Sequence, residues 1–166
     1  MNQRMLSILV NNHFGVLTKV TGLFGRRGYN ITALSVGETE DPSVSRITVL
    51  IEDDDQKLMQ ICSQVSKLEE VRVAAILPCD TLMERELVLI KIRPQSGHIN
   101  AVLQLVSDFS AKATAAGECT IIEASGPTEQ VNRLIARAME FNLVELSRTG
   151  ATALERNENA LASMKN

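Results

Sequence analysis

The chain is 166 residues long, enough for one mid-sized domain or two small ones, and its 45 % apolar content can supply a hydrophobic core. Aromatics are only 3 % with no Trp, so the core must be aliphatic, and the stacking platforms of single-stranded nucleic-acid binders are missing. The net charge of −3 mixes 17 basic with 20 acidic residues and contains no long basic run, which argues against a phosphate-backbone footprint.

Met5–Val10 is apolar and strand-like and stops at the polar turn Asn11-Asn12-His13. From Val16 the period becomes helical, with Val16, Val20, Leu23 and Phe24 on one face and Leu17 alongside. Arg26 and Arg27 then meet Gly28: basic residues suit the negative end of the helix dipole, and glycine suits a left-handed cap. Ile31–Gly37 and Ser45–Ile51 alternate as two strands joined by the turn-rich Glu38–Ser43 segment. Leu58, Ile61, Cys62, Val65 and Leu68 mark a second amphipathic helix, and Val71, Val73 and Ala75 a strand ending near Pro78. The order is β-α-β-β-α-β, a ferredoxin-like unit.

A charged stretch at Glu84-Arg85-Glu86 follows, and the same order restarts. Leu87–Ile92 is a strand, and Ser96 caps a helix whose buried face is expected to be Ile99, Val102, Leu103, Val106 and Phe109. Ala111–Ala115 is assigned a short strand from the repeated order, although alanine propensity would extend the helix. Glu118–Ala124 is a strand. Gly126-Pro127 opens a helix with Val131, Leu134, Ile135, Ala138 and Met139 on its apolar face, and Leu143–Leu146 closes the unit. The fold class expected is α+β, two tandem ferredoxin-like domains at 1–79 and 85–166, with a linker at 80–84 and a polar tail after Gly150 that frays.

Little here can perform catalysis. His13 and His98 are the only histidines and have no metal-ligand spacing, and no nucleophile elbow, Walker loop or dinucleotide turn is present. No catalytic residue and no metal site is assigned. Asp53-Asp54-Asp55 lacks the rest of a calcium loop and reads as a helix cap. Cys62, Cys79 and Cys119 match no disulfide or metal spacing, which fits a reducing compartment. With no leader pattern and no long apolar span, a cytoplasmic location is expected, with neither membrane nor nucleic acid as partner.

The turn Asn12-His13-Phe14-Gly15-Val16-Leu17 is the local feature that carries binding chemistry. Glycine permits close backbone approach, and the helix behind it presents unpaired N–H groups suited to a carboxylate. Asn12 offers both donors and an acceptor, matching an amino-acid zwitterion. The same spacing also fits a plain strand-to-helix turn with no ligand. Asn30 and Ile31 open the second strand, which could approach the first turn of a second copy if two chains pair edge to edge.

These residues resemble a known family. Asn12–Leu17, Gly22–Phe24, Arg26–Ile31, Val36–Pro42 and Ser45–Thr48, with Glu84–Leu87, Leu89–Ile92 and Ser147–Gly150, are similar to the regulatory (small) subunit of acetolactate synthase. The resemblance covers nearly the whole chain. It implies an N-terminal ACT domain, a C-terminal ferredoxin-like domain and a homodimer formed through the ACT domain. Asn12, His13, Phe14, Gly15, Val16 and Leu17 of one chain, with Asn30 and Ile31 of the other, would bind valine or another branched-chain amino acid. The implied partner is a catalytic large subunit carrying thiamine diphosphate, magnesium and FAD, activated by this chain and subjected through it to feedback inhibition. The chain departs from the family at His13-Phe14, where an acidic residue and Pro or Ser are usual; a bulky Phe14 could fill part of the ligand space or wall it differently. The alternative is a stand-alone ACT-type amino-acid sensor acting on a different target.

Overall fold

In a computed structural model that describes residues 2–158 and 160–163, the alternating and helical patterns become nine strands and four α-helices among the described residues. They divide into two units. Glu84–Ala151 forms one, and the chain before it forms the other together with the segment from Thr152 on.

In the first unit, β1 (Asn2–Asn11), α1 (Val16–Arg26), β2 (Ile31–Glu38), β3 (Val44–Asp53), α2 (Asp55–Val65) and β4 (Val71–Leu77) follow in order. The sheet runs β2-β3-β1-β4 and its pairs are antiparallel. Successive strand side chains point to opposite faces, so Leu6, Ile8 and Val10 of β1 join Ile47, Val49 and Ile51 of β3 in one layer. Against it lie Val16, Val20 and Phe24 of α1 and Leu58, Ile61 and Val65 of α2. Each such aliphatic side chain contributes about 1.5–3 kcal/mol by leaving water.

The helix ends follow local chemistry. Asp54 caps α2 by accepting the Lys57 N–H at 2.8 Å. Helix α1 ends in a Schellman motif: Gly28 takes φ 73°, its N–H donates to Gly25 O, and the Tyr29 N–H donates to Phe24 O.

The second unit repeats the pattern. It contains β5 (Leu82–Ile92, crossing in from the first unit), α3 (Ile99–Asp108), β6 (Lys112–Ala116), β7 (Cys119–Gly126), α4 (Thr128–Ala138) and β8 (Leu143–Arg148), in the sheet order β6-β7-β5-β8. Val88, Ile90 and Ile92 with Ile122 and Ala124 meet Val102 and Leu105 of α3 and Val131, Leu134 and Ile135 of α4. The architecture is thus α+β, with two βαββαβ units. The short strand at the alanines is present because Ser110, at φ 51°, ends α3 in a second Schellman motif, with Ala111 N–H donating to Val106 O.

Several details differ from the sequence reading, among them Ser96, which opens a 3₁₀ turn, Ser96–His98, and does not cap α3. The buried face of α3 centres on Val102 and Leu105, whereas Ile99 and Leu103 are 59 % and 58 % exposed. Met139 also faces solvent and lies in a 3₁₀ turn, Met139–Phe141, beyond α4, whose N-cap position is taken by Pro127. Residues 80–84 are not a loose connection, because strand β5 begins at Leu82. The described part of the segment after Gly150 is ordered: β9 (Thr152–Glu155) and a 3₁₀ turn at Leu161–Ser163 return to the first unit. There Leu161 joins Leu9, Val44 and Val73 on the sheet face opposite the helices, and Arg156 N–H donates to Thr81 O. Residues 159 and 164–166 of that tail lie outside the described residues. No helix among those described is long and apolar enough to cross a membrane.

Candidate ligand-binding site

Strand β1 hands over to α1 through a short, tightly bonded turn. Asn12 N–H donates to Ser43 O at 2.7 Å and His13 N–H to Asn11 O at 3.1 Å. Gly15 stands at the N-cap of α1 with φ 86° and ψ −11°, and no side chain caps the helix. An added Cβ at Gly15 would meet nothing within 4 Å. Glycine is therefore required by the dihedral angle rather than by space. The first turn of α1 carries no acidic residue, so its positive dipole end is not neutralised from within the helix. That end can hold a carboxylate through backbone N–H groups.

One turn further, Lys19 is ion-paired with Glu70, a carboxylate only 8 % exposed. The Lys19 hydrogen bond, a backbone hydrogen bond and the nearby positive charges hold the Glu70 carboxyl below its ordinary value, and the same pairing raises Lys19.

Asn12 does less than its inventory of polar atoms suggested. Its Nδ2 donates to both Glu38 Oε1 at 3.0 Å and Pro42 O at 2.9 Å. Two acceptors on one side fix the amide orientation and leave Oδ1 as the remaining polar atom. Asn12 is thus a brace for the Glu38–Ser43 turn that still presents an acceptor. Arg72 braces the same turn, with its Nε donating to Asn11 Oδ1 at 2.8 Å and Nη2 to Ser43 Oγ at 3.3 Å.

His13 Nδ1 is 3.1 Å from Phe14 O. Phe14 is 103 % exposed, so its ring stands in solvent beside the turn. Val16 is buried in the core and can offer only its backbone, while Leu17 is 43 % exposed beside the turn.

Asn30 and Ile31 are not brought to this turn within one chain. Ile31 pairs with Ile51, which pairs with Arg4, whereas Asn11 pairs with Val44 at the other end of the sheet. Seven strand positions separate Arg4 from Asn11. At about 3.4 Å each, that is roughly 24 Å. Strand β2 is an edge of the sheet, however, and its far end, Glu38, is the residue that holds Asn12.

The partners that sequence reading missed are Glu38, Pro42, Lys19, Glu70 and Arg72. Glu38, Pro42, Glu70 and Arg72 come from distant parts of the chain, so no spacing rule could have found them, whereas Lys19 lies one helical turn after Gly15.

Comparison with known proteins covers both units. Residues 6–73 match the family described as AHAS small subunit-like ACT domain, and residues 85–157 match the one described as small subunit of acetolactate synthase. A probable acetolactate synthase small subunit of Archaeoglobus fulgidus is 36 % identical over 91 % of this chain and 95 % of its own. The acetolactate synthase small subunit of Mycolicibacterium smegmatis is 34 % identical over 96 % of this chain and 95 % of its own. The crystal structure of the acetolactate synthase small subunit from Thermotoga maritima superposes with a TM-score of 0.88 at 34 % identity, covering 96 % of this chain and all of that one.

Proposed function

Because this chain belongs to the family of acetolactate synthase small subunits, we propose that it is a non-catalytic regulatory subunit that activates a separate catalytic subunit and makes it sensitive to a branched-chain amino acid. In this reading the catalytic partner carries thiamine diphosphate, magnesium and FAD, and this chain carries the effector, valine first among the candidates. The observation that carries the reading is the uncapped start of α1 behind the left-handed Gly15.

The effector carboxylate binds the first amides of α1, and its ammonium meets Asn12 Oδ1. The apolar side chain lies against Leu17. A second copy completes the enclosure. Antiparallel pairing of two β2 edges about a two-fold axis between Leu34 and Ser35 sets Ile31 opposite the partner's Glu38. The partner subunit's Asn30 and the partner subunit's Ile31 then arrive beside the Glu38–Asn12 brace, so each site takes residues from both chains.

Valine, leucine and isoleucine differ by methylene groups worth only about 1–3 kcal/mol each in an apolar pocket, so selectivity among them is graded. Feedback requires that the ligand bind the less active complex better than the active one, by a coupling of about 1–3 kcal/mol.

Acetolactate formation by the matching catalytic subunit, measured with and without this chain and with and without valine, tests the reading. A rate that rises on adding the chain and falls again with valine supports it. A rate indifferent to the chain refutes it.

A further inference from the structure

Arg46 lies on the face of the first sheet away from the helices, in register with Leu9 of β1 and Gly37 of β2. Its side chain is partly buried. Burial lowers the affinity of the guanidinium for its proton, and the charge of Glu40 works against that. Among the described residues its one hydrogen bond runs from Nη1 to Ala153 O at 3.2 Å, and no carboxylate lies within 4.0 Å of it. A guanidinium has five N–H donors in a planar fork, so anchoring the tail uses only one.

Arg46 and Glu40 both border three neighbouring cavities of about 370, 320 and 370 Å³. The third also has an apolar wall of Leu9, Val44, Val73 and Leu161, the residues where the returning tail meets the sheet. A partly buried cation that spends one donor on the protein, next to an apolar wall, has the make-up of a small-molecule site. A carboxylate supplies the missing charge-assisted bonds in bidentate form.

We propose that this cavity is a second ligand site, contained within one chain, which takes a small aliphatic carboxylate with its acid group on Arg46 and its hydrocarbon part against Leu9, Val44, Val73 and Leu161. A free carboxylic acid and an amino acid share that chemistry; the amino acid would turn its ammonium toward Glu40. The site is separate from the turn at Gly15 and takes no residue from it.

Isovalerate and valine are titrated calorimetrically into the full chain, into Gly15→Asp, and into Gly15→Asp combined with Arg46→Gln or with Ala160→Phe. Ala160 also lines the cavity, and Phe there fills it while leaving Arg46 in place. The expected result is one isovalerate per chain, retained in Gly15→Asp and weakened about tenfold or more by either cavity substitution. Valine that binds in Gly15→Asp with the same two losses identifies the amino acid as an occupant and equally supports the site. No heat from either ligand in Gly15→Asp, or binding that neither cavity substitution weakens, overturns it. Loss of valine binding in Gly15→Asp alone concerns the other site, so the two readings fail separately.

Discussion

Arg148 holds Glu86 in a two-point clamp, its Nε and Nη2 donating to Oε1 and Oε2 at 2.8 and 2.7 Å. Glu86 is 4 % exposed, so its carboxylate has given up nearly all contact with water and depends on this partner. The clamp joins β5 to β8, near the Val88–Arg148 pair of the ladder.

Breaking a buried pair from one side leaves an uncompensated charge, whereas removing both charges does not. Arg148→Met should therefore destabilise the second unit by about 2–4 kcal/mol, discounted because Arg148 is itself partly exposed. The double variant Arg148→Met with Glu86→Gln should recover most of that loss. Urea unfolding of the three proteins measures it; equal losses in the single and double variants would show that the clamp is not the cause.

At Gly15 the left-handed dihedral, not crowding, is what resists a side chain. Gly15→Ala should cost about 1–2 kcal/mol of stability through that dihedral alone. Gly15→Asp should cost no more, since its carboxylate can cap α1, yet the same carboxylate occupies the place proposed for the effector's own. With Arg46→Gln present to silence the second cavity, Gly15→Asp should abolish valine binding while the melting temperature falls by only a few degrees. Calorimetry and thermal melting on one preparation decide between loss of a site and loss of the fold.

How far such features are legible in sequence depends on whether their cause is local. Leu6, Ile8 and Val10 alternate, and Val16, Val20 and Phe24 recur at helical spacing, so the first sheet and α1 follow from the pattern. Helix α3 is ambiguous because it is apolar on more than one side: Ile99 with Leu103 is one valid stripe, and Val102 with Leu105 is another. Only the facing sheet chooses between them. The apolar residues of the tail are mostly alanines with no clear period, and Leu161 is recognisable as core only once Leu9 and Val73 are opposite it. At the candidate site the glycine turn was legible, but the pairing of Asn12 with Glu38 was not, because 26 residues separate them.

The choice of stripe on α3 can be measured. Leu105→Ala should destabilise by about 2–5 kcal/mol, the usual range for a fully buried leucine. Leu103→Gln, at a position more than half exposed, should stay within about 0.5 kcal/mol of the parent. Similar losses at both positions in urea denaturation would contradict the helix phase seen here.

The Lys19–Glu70 pair sets a pH dependence. The Glu70 pKa is lowered from 4.5 by the Lys19 hydrogen bond first, so its contribution is present above about pH 4.5 and is lost as pH falls through the folded value. The Lys19 pKa is raised from 10.5 by the same bond, so its contribution is present below that value and is lost as pH rises through the folded value. Glu70→Gln should flatten both limbs. The urea midpoint of the parent should therefore fall more steeply than that of the variant at either extreme. Parallel profiles would show that the pair does not contribute.

The proposed effector site makes its strongest demand on subunit composition. Asn12 and Gly15 stand at one end of the sheet and Asn30 at the other, so no single chain can furnish both halves. If each site joins Gly15 of one chain to Asn30 of its twin, Gly15→Asp and Asn30→Ala each disable both sites of a homodimer. In a mixed dimer of the two variants, one site receives both lesions and the other receives neither. Equal mixing with subunit exchange makes about half of the dimers mixed, which restores about a quarter of all sites at the parent's affinity. Calorimetric titration of valine into the exchanged mixture, with Arg46→Gln in every chain to silence the second cavity, should recover that fraction, although neither variant binds alone. If binding stays absent after exchange has been verified by mass spectrometry, the shared site is excluded, because only a site built across two chains can be repaired by mixing two broken ones.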